Sequence, residues 1–202
     1  MEQRTAEWLM ARVGHATASR FKDVCARLKN GQPAAARQTY LTELVCERLT
    51  GSPAARFVSA AMDWGTEQEP FARAAYQQRT GRMVDEVGFI RHPELMAGAS
   101  PDGIVDLEGI IEIKCPTTPT HMDTLMNGMS RDHQFQVQGQ LWITGHAWAD
   151  FVSYDPRLPT GLDLHVERVE RDESAISLIE AEVRAFLADV DATIARLQER
   201  TR

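Results

Sequence analysis

Three residues in the middle of the chain have types and spacing that could hydrolyse a bond with the help of a metal ion. Asp102 follows a proline, Glu112 stands ten positions later, and Lys114 lies two positions beyond it. In a strand, side chains two residues apart leave the same face, so Glu112 and Lys114 would point together. Carboxylates bind hard cations such as Mg²⁺, and the backbone carbonyl of Ile113 is a further candidate ligand. The cation activates a bound water, and the lysine orients that water or stabilises developing negative charge.

Each of these residues also has an ordinary structural explanation. Ser-Pro-Asp-Gly around Asp102 is typical of a turn, and Glu112 with Lys114 could lie on a solvated edge face. The combined pattern is more specific, because it matches the PD-(D/E)xK signature of nucleases. Lysine usage is also skewed: 19 of the 22 basic residues are arginine, and Lys114 follows the only other two lysines by 85 positions or more. Selection of this lysine for its chemistry and a chance lysine in an arginine-rich chain are the two explanations. Asp106 remains a competing acid by spacing alone.

The pairing of the two strands decides whether the acids meet. A two-residue turn at Glu108 and Gly109 would place Asp102 on the wrong face of its neighbour strand. A three-residue turn from Leu107 to Gly109 would place Asp102 opposite Lys114. The site therefore needs this longer turn or a bulge.

Hydrophobic periodicity predicts the elements that must position these residues. The predicted helices cover 6–12, 17–28, 38–49, 63–79, 121–129, 132–144 and 173–200, and the predicted strands cover 83–91, 98–107, 109–115, 147–154 and 162–171. The first three strands are expected to be antiparallel. The order of these elements predicts an α+β or mixed α/β domain with a central sheet, which follows a helical N-terminal part. Residues 1–202 are expected to form a single domain.

Composition excludes several classes of protein. The chain has 202 residues, of which 43% are hydrophobic and 25% charged, a globular balance that argues against a disordered or fibrous protein. We expect no membrane span and no signal peptide, and free cysteines in a reducing cytosol. The net charge is −7, with residues 1–50 at +3, residues 51–160 at −6 and residues 161–202 at −4.

Six short segments, in this order and spacing, give the chain a family resemblance from Trp8 to its final helix. They are 8–14 with 17–19, 64–69, 100–103, 112–116, 136–138 and 154–157. The sequence resembles the phage lambda-type 5′→3′ exonucleases of the YqaJ-like viral recombinase family. This resemblance implies an α/β fold with a restriction-endonuclease-like core, in which a central mixed sheet is flanked by helices.

This resemblance implies roles for residues that spacing alone does not single out. Glu69 would be a further acid of the metal site, although an ion pair with Arg73 four residues on is its ordinary explanation. Gln136 would sit beside the site, together with the catalytic Asp102, Glu112 and Lys114.

The resemblance also implies a pocket for a 5′-phosphate. It would be formed by Arg12, Ser19 and Ser100, with Met62 as an apolar wedge that splits the duplex end. A solvated helix charge for Arg12, a helix cap for Ser19 and a core position for Met62 are the alternatives.

One position departs from the family pattern. The family has an arginine six residues past the catalytic lysine, in the phosphate pocket, and here that position is Thr120, followed by His121. Binding of the 5′-phosphate is therefore expected to be weaker or differently arranged.

The resemblance finally implies an activity and its partners. We expect a Mg²⁺-dependent 5′→3′ exonuclease with a two-ion site that Mn²⁺ can also fill, acting on double-stranded DNA ends and leaving 3′ tails. It would be a homotrimeric ring that works with a single-strand annealing protein in the bacterial cytoplasm, encoded by a phage or prophage. Each subunit would turn its basic N-terminal quarter inward and its acidic final helix outward. A PD-(D/E)xK endonuclease and a non-catalytic DNA-end binder are the alternatives.

Overall fold

The computed structural model describes residues 2–55 and 59–200, which form seven α-helices and eight strands. The helices are α1 (Ala6–Arg12), α2 (Phe21–Cys25), α3 (Ala35–Thr50), α4 (Ala60–Thr80), α5 (Thr118–Asn127), α6 (Arg131–Thr144) and α7 (Glu173–Glu199). The strands are β1 (Ala16–Thr17), β2 (Val84–Asp85), β3 (Ile90–Arg91), β4 (Ala97–Ala99), β5 (Gly103–Val105), β6 (Gly109–Lys114), β7 (Trp148–Tyr154) and β8 (Leu164–Glu170).

A five-stranded mixed sheet forms the centre of the fold. Its order is β2-β5-β6-β7-β8, with β6 and β7 parallel and the other neighbours antiparallel. Tyr76 of α4 packs on the face that carries Ile111, and Leu141 of α6 packs on the face that carries Ile110. The expected α/β fold with a central mixed sheet between helices is confirmed.

A second, three-stranded sheet was not expected from the sequence. Its order is β1-β4-β3, and β1 runs parallel to β4. The continuous strands expected at 83–91 and 98–107 are therefore wrong, because each divides into two short strands that belong to different sheets. This small sheet packs with α2, α3 and α7 around a core that includes Phe21 and Phe186.

Several element boundaries also differ from the sequence-based expectation. The helix expected at 17–28 begins as a 3₁₀ turn at Ala18–Arg20, and α2 ends at Cys25. Neither Thr17 nor Ser19 caps it with a side-chain hydrogen bond, so the interpretation of Ser19 as a cap is wrong. Helix α4 begins three residues before the expected Asp63 and is capped by Ser59, whose hydroxyl accepts from the Met62 amide. The long amphipathic final helix is confirmed as α7.

Charges of the N-terminal part and of α7 pair with each other. Arg37 Nη1 lies 2.9 Å from Asp189, Arg48 pairs with Asp191 at 2.6 Å, and Arg27 pairs with Glu182 at 2.6 Å. Part of the basic N-terminal quarter therefore packs against the acidic final helix, and these three arginines are already paired. The positive charge that remains for a ligand must come from other arginines.

No helix in the described ranges is both long enough and apolar enough to cross a membrane.

Candidate active site

One cavity of about 560 Å³ opens beside the end of β6. Its wall includes all ten residues to which the sequence analysis assigned a role in catalysis, metal binding or substrate binding. They are Arg12, Ser19, Met62, Glu69, Ser100, Asp102, Glu112, Ile113, Lys114 and Gln136. The fold thus brings together residues that are up to 124 positions apart in the chain.

The hairpin between β5 and β6 sets the position of Asp102. Gly103 pairs with Ile111 and Val105 pairs with Gly109, so the three-residue turn runs from Asp106 to Glu108. The expected turn had the right length but was placed one residue too late. The register therefore shifts by two residues, which leaves Asp102 on the intended face but brings it level with Glu112 instead of Lys114.

Asp102 is fixed against the backbone of β6. Its Oδ2 accepts a 2.6 Å hydrogen bond from the amide of Ile113, and its own amide donates to the Ile111 carbonyl at 3.0 Å. Burial, with the neighbouring carboxylates Glu112 and Glu69, raises the pKa of Asp102 well above its usual range. The cavity thus concentrates negative charge that a cation would offset.

The competing acid lies elsewhere. Asp106 occupies the hairpin turn in a left-handed conformation with φ of 50°. Its carboxylate is half exposed and pairs with Arg82 at 2.5 Å. Asp106 is absent from the described wall of the cavity.

Both oxygens of Glu112 are held by side chains. Oε1 accepts from Lys114 Nζ and from Gln136 Nε2, the latter at 2.5 Å, and Oε2 accepts from Gln140 Nε2 at 2.6 Å. Glu112 is only 2% exposed, because β6 lies between β5 and β7 in the sheet. The alternative of a solvated edge face is therefore wrong.

Lys114 remains a cation in this setting. Burial alone would lower the pKa of Lys114, but the carboxylates of Glu112 and Asp102 outweigh burial and raise it. The ammonium also donates to Gln136 Oε1 at 3.3 Å. The Lys114 ammonium is thus a charged hydrogen-bond donor held at the cavity wall by the Glu112 carboxylate and the Gln136 side-chain amide.

Glu69 takes part in the ion pair and also reaches the cavity. Its Oε1 lies 2.8 Å from Arg73, while Oε2 pairs with Arg4. The side chain is 12% exposed and lines the cavity. Glu69 thus forms the ion pair with Arg73 and also stands at the cavity wall, where the family resemblance implies an acid.

Arg12 is a buried cation held in a fixed orientation. Its guanidinium lies 4.1 Å from the ring centre of Trp8, and Nη1 donates to Ser100 Oγ at 3.1 Å. Trp8 Nε1 donates to the same oxygen at 3.0 Å. Because both partners are donors, the Ser100 hydroxyl keeps its own hydrogen to donate. Arg12 is 9% exposed, so the alternative of a solvated helix charge is wrong.

The remaining pocket positions are also placed by the fold. Met62 is 52% exposed on α4 and lines the cavity, so the core alternative for this methionine is wrong. Gly139 of α6 lets the ring of Phe21 pack against the helix, where any side chain would clash. This contact brings the 3₁₀ turn that carries Ser19 next to α6.

Thr120, and not His121, stands at the cavity wall. The Thr120 hydroxyl lies 3.1 Å from that of Thr117. His121 is fully buried: Nε2 donates to the Leu162 carbonyl at 2.8 Å, and Nδ1 lies 2.7 Å from Ser153 Oγ. His121 therefore does not line the described cavity wall, where the family pattern places its arginine.

Comparison with known proteins decides the family. A profile of the YqaJ-like viral recombinase domain matches residues 7–147. The chain belongs to the YqaJ-like viral recombinase family. A search of the curated proteins finds no significant match.

Solved structures agree with this YqaJ-like assignment. LHK-Exo, an alkaline exonuclease from Laribacter hongkongensis, is 48% identical over 98% of both chains, with a TM-score of 0.90. Its complex with dAMP gives a TM-score of 0.91 at the same identity and coverage. A phage-related exonuclease from Haemophilus somnus 129PT is 18% identical over 91% of this chain and 96% of its own, with a TM-score of 0.70, and shows the shared fold. The family and the 48% relative support an exonuclease role that acts on DNA.

The donor set of this YqaJ-like site suits a hard divalent cation. The carboxylates of Asp102 and Glu112 and the carbonyl of Ile113 are all oxygen ligands. Within residues 2–55 and 59–200, no three Asp, Glu, His or Cys side chains are grouped closely enough to hold a metal ion by themselves. Two carboxylates with one carbonyl leave room for waters, which Mg²⁺ retains when it binds proteins. The raised pKa of Asp102 fits a site whose negative charge is balanced when a cation binds.

The sequence reasoning gave no site role to several residues of the cavity wall, among them Arg4, Trp8, His133 and Gln140. Gln140 follows Gln136 by four positions and so lies on the same face of α6, which is a helical signal that could have revealed it. The ring of His133 lies 5.1 Å from that of Phe151 on the same side of the sheet. Nothing in the local sequence marks Arg4, because its partner Glu69 is 65 positions away.

Proposed function

We propose that the protein is a Mg²⁺-dependent 5′→3′ exonuclease that digests one strand of linear double-stranded DNA and leaves 3′ single-stranded tails. The observation that carries the proposal is that one cavity holds both a PD-(D/E)xK set and a buried arginine. Asp102, Glu112 and Lys114 line one part of it, and Arg12 with Ser100 lines another. A relative that binds dAMP, a nucleoside 5′-monophosphate, adds support.

The proposed chemistry divides among the residues of the chain. Asp102, Glu112 and the Ile113 carbonyl would hold Mg²⁺, or Mn²⁺ in its place, and Glu69 is a candidate for a second ion. When bound, the cation lowers the pKa of a coordinated water and offsets charge on the phosphate. Lys114, oriented by Glu112 and Gln136, stabilises negative charge that develops at the scissile phosphate.

The direction of digestion would follow from the binding of a terminal 5′-phosphate by Arg12 and Ser100. The planar fork of Arg12 matches phosphate oxygens, and the Ser100 hydroxyl keeps a hydrogen to donate. A terminal 5′-phosphate held there places the next phosphodiester near the acids. Ser19 would join this pocket, and the exposed side chain of Met62 at the cavity would separate the two strands.

Digestion of defined DNA substrates tests the proposal. Linear duplex labelled at either end, nicked circles and closed circles are incubated with Mg²⁺, Mn²⁺ or EDTA. We expect loss of mononucleotides from the 5′ end of linear duplex with either cation, intact closed circles, and no reaction in EDTA. Cleavage of closed circles would favour the PD-(D/E)xK endonuclease, and binding of ends without any digestion would favour the non-catalytic binder.

The proposed assembly is a homotrimeric ring around the DNA, working with a single-strand annealing protein in the bacterial cytoplasm. A domain of 22.6 kDa is too small to encircle a duplex alone, and cyclic symmetry closes identical subunits. Light scattering coupled to size exclusion should give about three times the chain mass. A monodisperse monomer that still digests processively would overturn the ring.

A further inference from the structure

The segment before α1 is attached to the rim of the active site. Gln3 Nε2 donates to the carbonyls of Val87 and Pro101, each at 2.8 Å. Pro101 lies between Ser100 and Asp102, which belong to the phosphate grip and the acid cluster. The N-terminal segment is thus fixed to the loop that joins the two halves of the cavity.

Arg4 follows in a backbone conformation that few side chains adopt. Its φ is 68°, in the left-handed region that favours glycine. This conformation accompanies a side chain that lines the cavity and pairs with Oε2 of Glu69. Strained non-glycine residues of this kind are concentrated at binding and catalytic sites.

Arg4 has the most exposed side chain of the arginines and lysines that line the described cavity wall. Lys114 is tied to Glu112 and Gln136, and Arg12 is 9% exposed beneath Ser100. The Arg4 side chain is 45% exposed, and Glu69 is its one polar partner among the described residues. Its long side chain can therefore move without breaking a second contact.

Glu69 does not depend on Arg4 for its neutralisation. Its other oxygen, Oε1, pairs with Arg73 at 2.8 Å, and the Arg73 side chain is 11% exposed. If Arg4 leaves, Glu69 keeps a buried cationic partner and its Oε2 becomes accessible to the cavity. Loss of the Arg4 contact would therefore leave Glu69 paired with Arg73, which is itself held by Glu86 at 2.8 Å.

We propose that Arg4 binds substrate by exchanging the Glu69 carboxylate for a phosphate of the DNA strand drawn into the cavity. The inference rests on the proposed function, since it requires DNA in this cavity. A guanidinium that leaves a carboxylate for a phosphate keeps its charge-assisted hydrogen bonds, because its planar fork fits both anions. The exchange would leave Glu69 Oε2 free as DNA enters.

The decisive variant is Arg4→Gly, because glycine suits the left-handed backbone and removes only the side chain. Its affinity is compared with that of wild type, Arg4→Lys and Arg82→Ala by fluorescence anisotropy in EDTA, with duplex ends carrying a 5′-phosphate or a 5′-hydroxyl. Arg82 is the matched control, since it is a partly exposed arginine that pairs with Asp106 in the hairpin turn and lies outside the described cavity wall. Binding of dAMP is measured separately by calorimetry.

We expect Arg4→Gly to weaken DNA binding about tenfold, as for one charged hydrogen-bonded contact. The slope of log affinity against log salt concentration should fall in magnitude by about one, the change expected for one lost phosphate contact. Arg4→Lys should be intermediate and Arg82→Ala unchanged. A loss confined to 5′-phosphate ends, with weaker dAMP binding, assigns Arg4 to the terminal phosphate, and an equal loss on both ends assigns it to an internal one.

Unchanged affinity and salt slope in Arg4→Gly would overturn the inference. Thermal unfolding checks that Arg4→Gly is folded, and its melting temperature should not fall below that of wild type. If the wild-type protein bound neither type of duplex end, the proposed function itself would be contradicted. That result is distinct from an unchanged affinity in Arg4→Gly.

Discussion

Gln140 donates a 2.6 Å hydrogen bond to Oε2 of Glu112, across 28 positions of the sequence. Gln140 is 1% exposed, and its Oε1 has no hydrogen-bond partner within the described structure. Gln140 therefore fixes the Glu112 carboxylate, which would hold a cation. Its own side-chain oxygen, Oε1, remains available inside a buried site.

Replacing Gln140 by leucine should weaken the response to metal. Without this donor Glu112 loses its fixed orientation, so the Mg²⁺ concentration for half-maximal activity should rise about tenfold. Thermal stabilisation by Mg²⁺ should need the same increase, which provides a readout independent of turnover. Gln138→Leu is the matched control: Gln138 is also a buried glutamine of α6, but it bonds to Glu170 and Asp172. An unaltered Mg²⁺ requirement in Gln140→Leu would show that Gln140 does not position Glu112.

Replacing Lys114 by alanine should lower the rate by at least ~10²-fold, the usual scale for a positioned catalytic group. The fold should survive because the Lys114 side chain is 30% exposed and because Glu112 keeps Gln136 and Gln140 as donors. Single-turnover digestion of linear duplex measures the rate, and circular dichroism checks the fold. Near wild-type turnover would remove Lys114 from the mechanism.

Duplex with a 5′-phosphate should be digested faster than duplex with a 5′-hydroxyl, and Arg12→Lys should reduce that preference. Lysine keeps the positive charge but lacks the planar guanidinium group, whose Nη1 contacts Ser100. The ratio of initial rates on the two ends is the measurement. Arg37→Lys is the control, because Arg37 is also a buried arginine against an aromatic ring, Phe186, but lies outside the described cavity wall. Wild-type indifference to the end group would contradict the pocket.

Asp155 should make the fold sensitive to acid. Burial alone would raise the pKa of Asp155, but hydrogen bonds from Arg157 and Thr118 outweigh burial and lower it to about 2. In the unfolded chain the pKa of this carboxyl is about 3.9. Its stabilising contribution is therefore present above about pH 4 and is lost as the pH falls towards about 2.

Asp155→Asn should remove that contribution, with a loss of about 2 kcal/mol in the free energy of unfolding at pH 7. Its stability should also vary less than that of wild type between about pH 4 and pH 2. Urea unfolding across this range measures both effects. Asp106→Asn is the control, because Asp106 is exposed and asparagine tolerates its left-handed backbone. Equal acid sensitivity of wild type and Asp155→Asn would contradict the assignment.

The sequence by itself determined which residues share a face and which chemistry they carry. Alternation in the strand places Glu112 and Lys114 together, and the helical period of the final segment predicts α7 almost to the residue. The error of two residues in the β5–β6 register did not matter for the face, because side chains alternate with a period of two. Such local periodicities depend on neighbours in the chain.

Only the tertiary structure decided which distant groups meet. The three-stranded sheet depends on β1 pairing with β4 across 81 positions, and no local pattern encodes a pairing over that distance. The same is true of Gln140 with Glu112, of Arg4 with Glu69, and of the arginines that α7 neutralises. Hydrogen bonds and ion pairs between remote segments form only after packing fixes the backbones, so residue types alone leave their partners open.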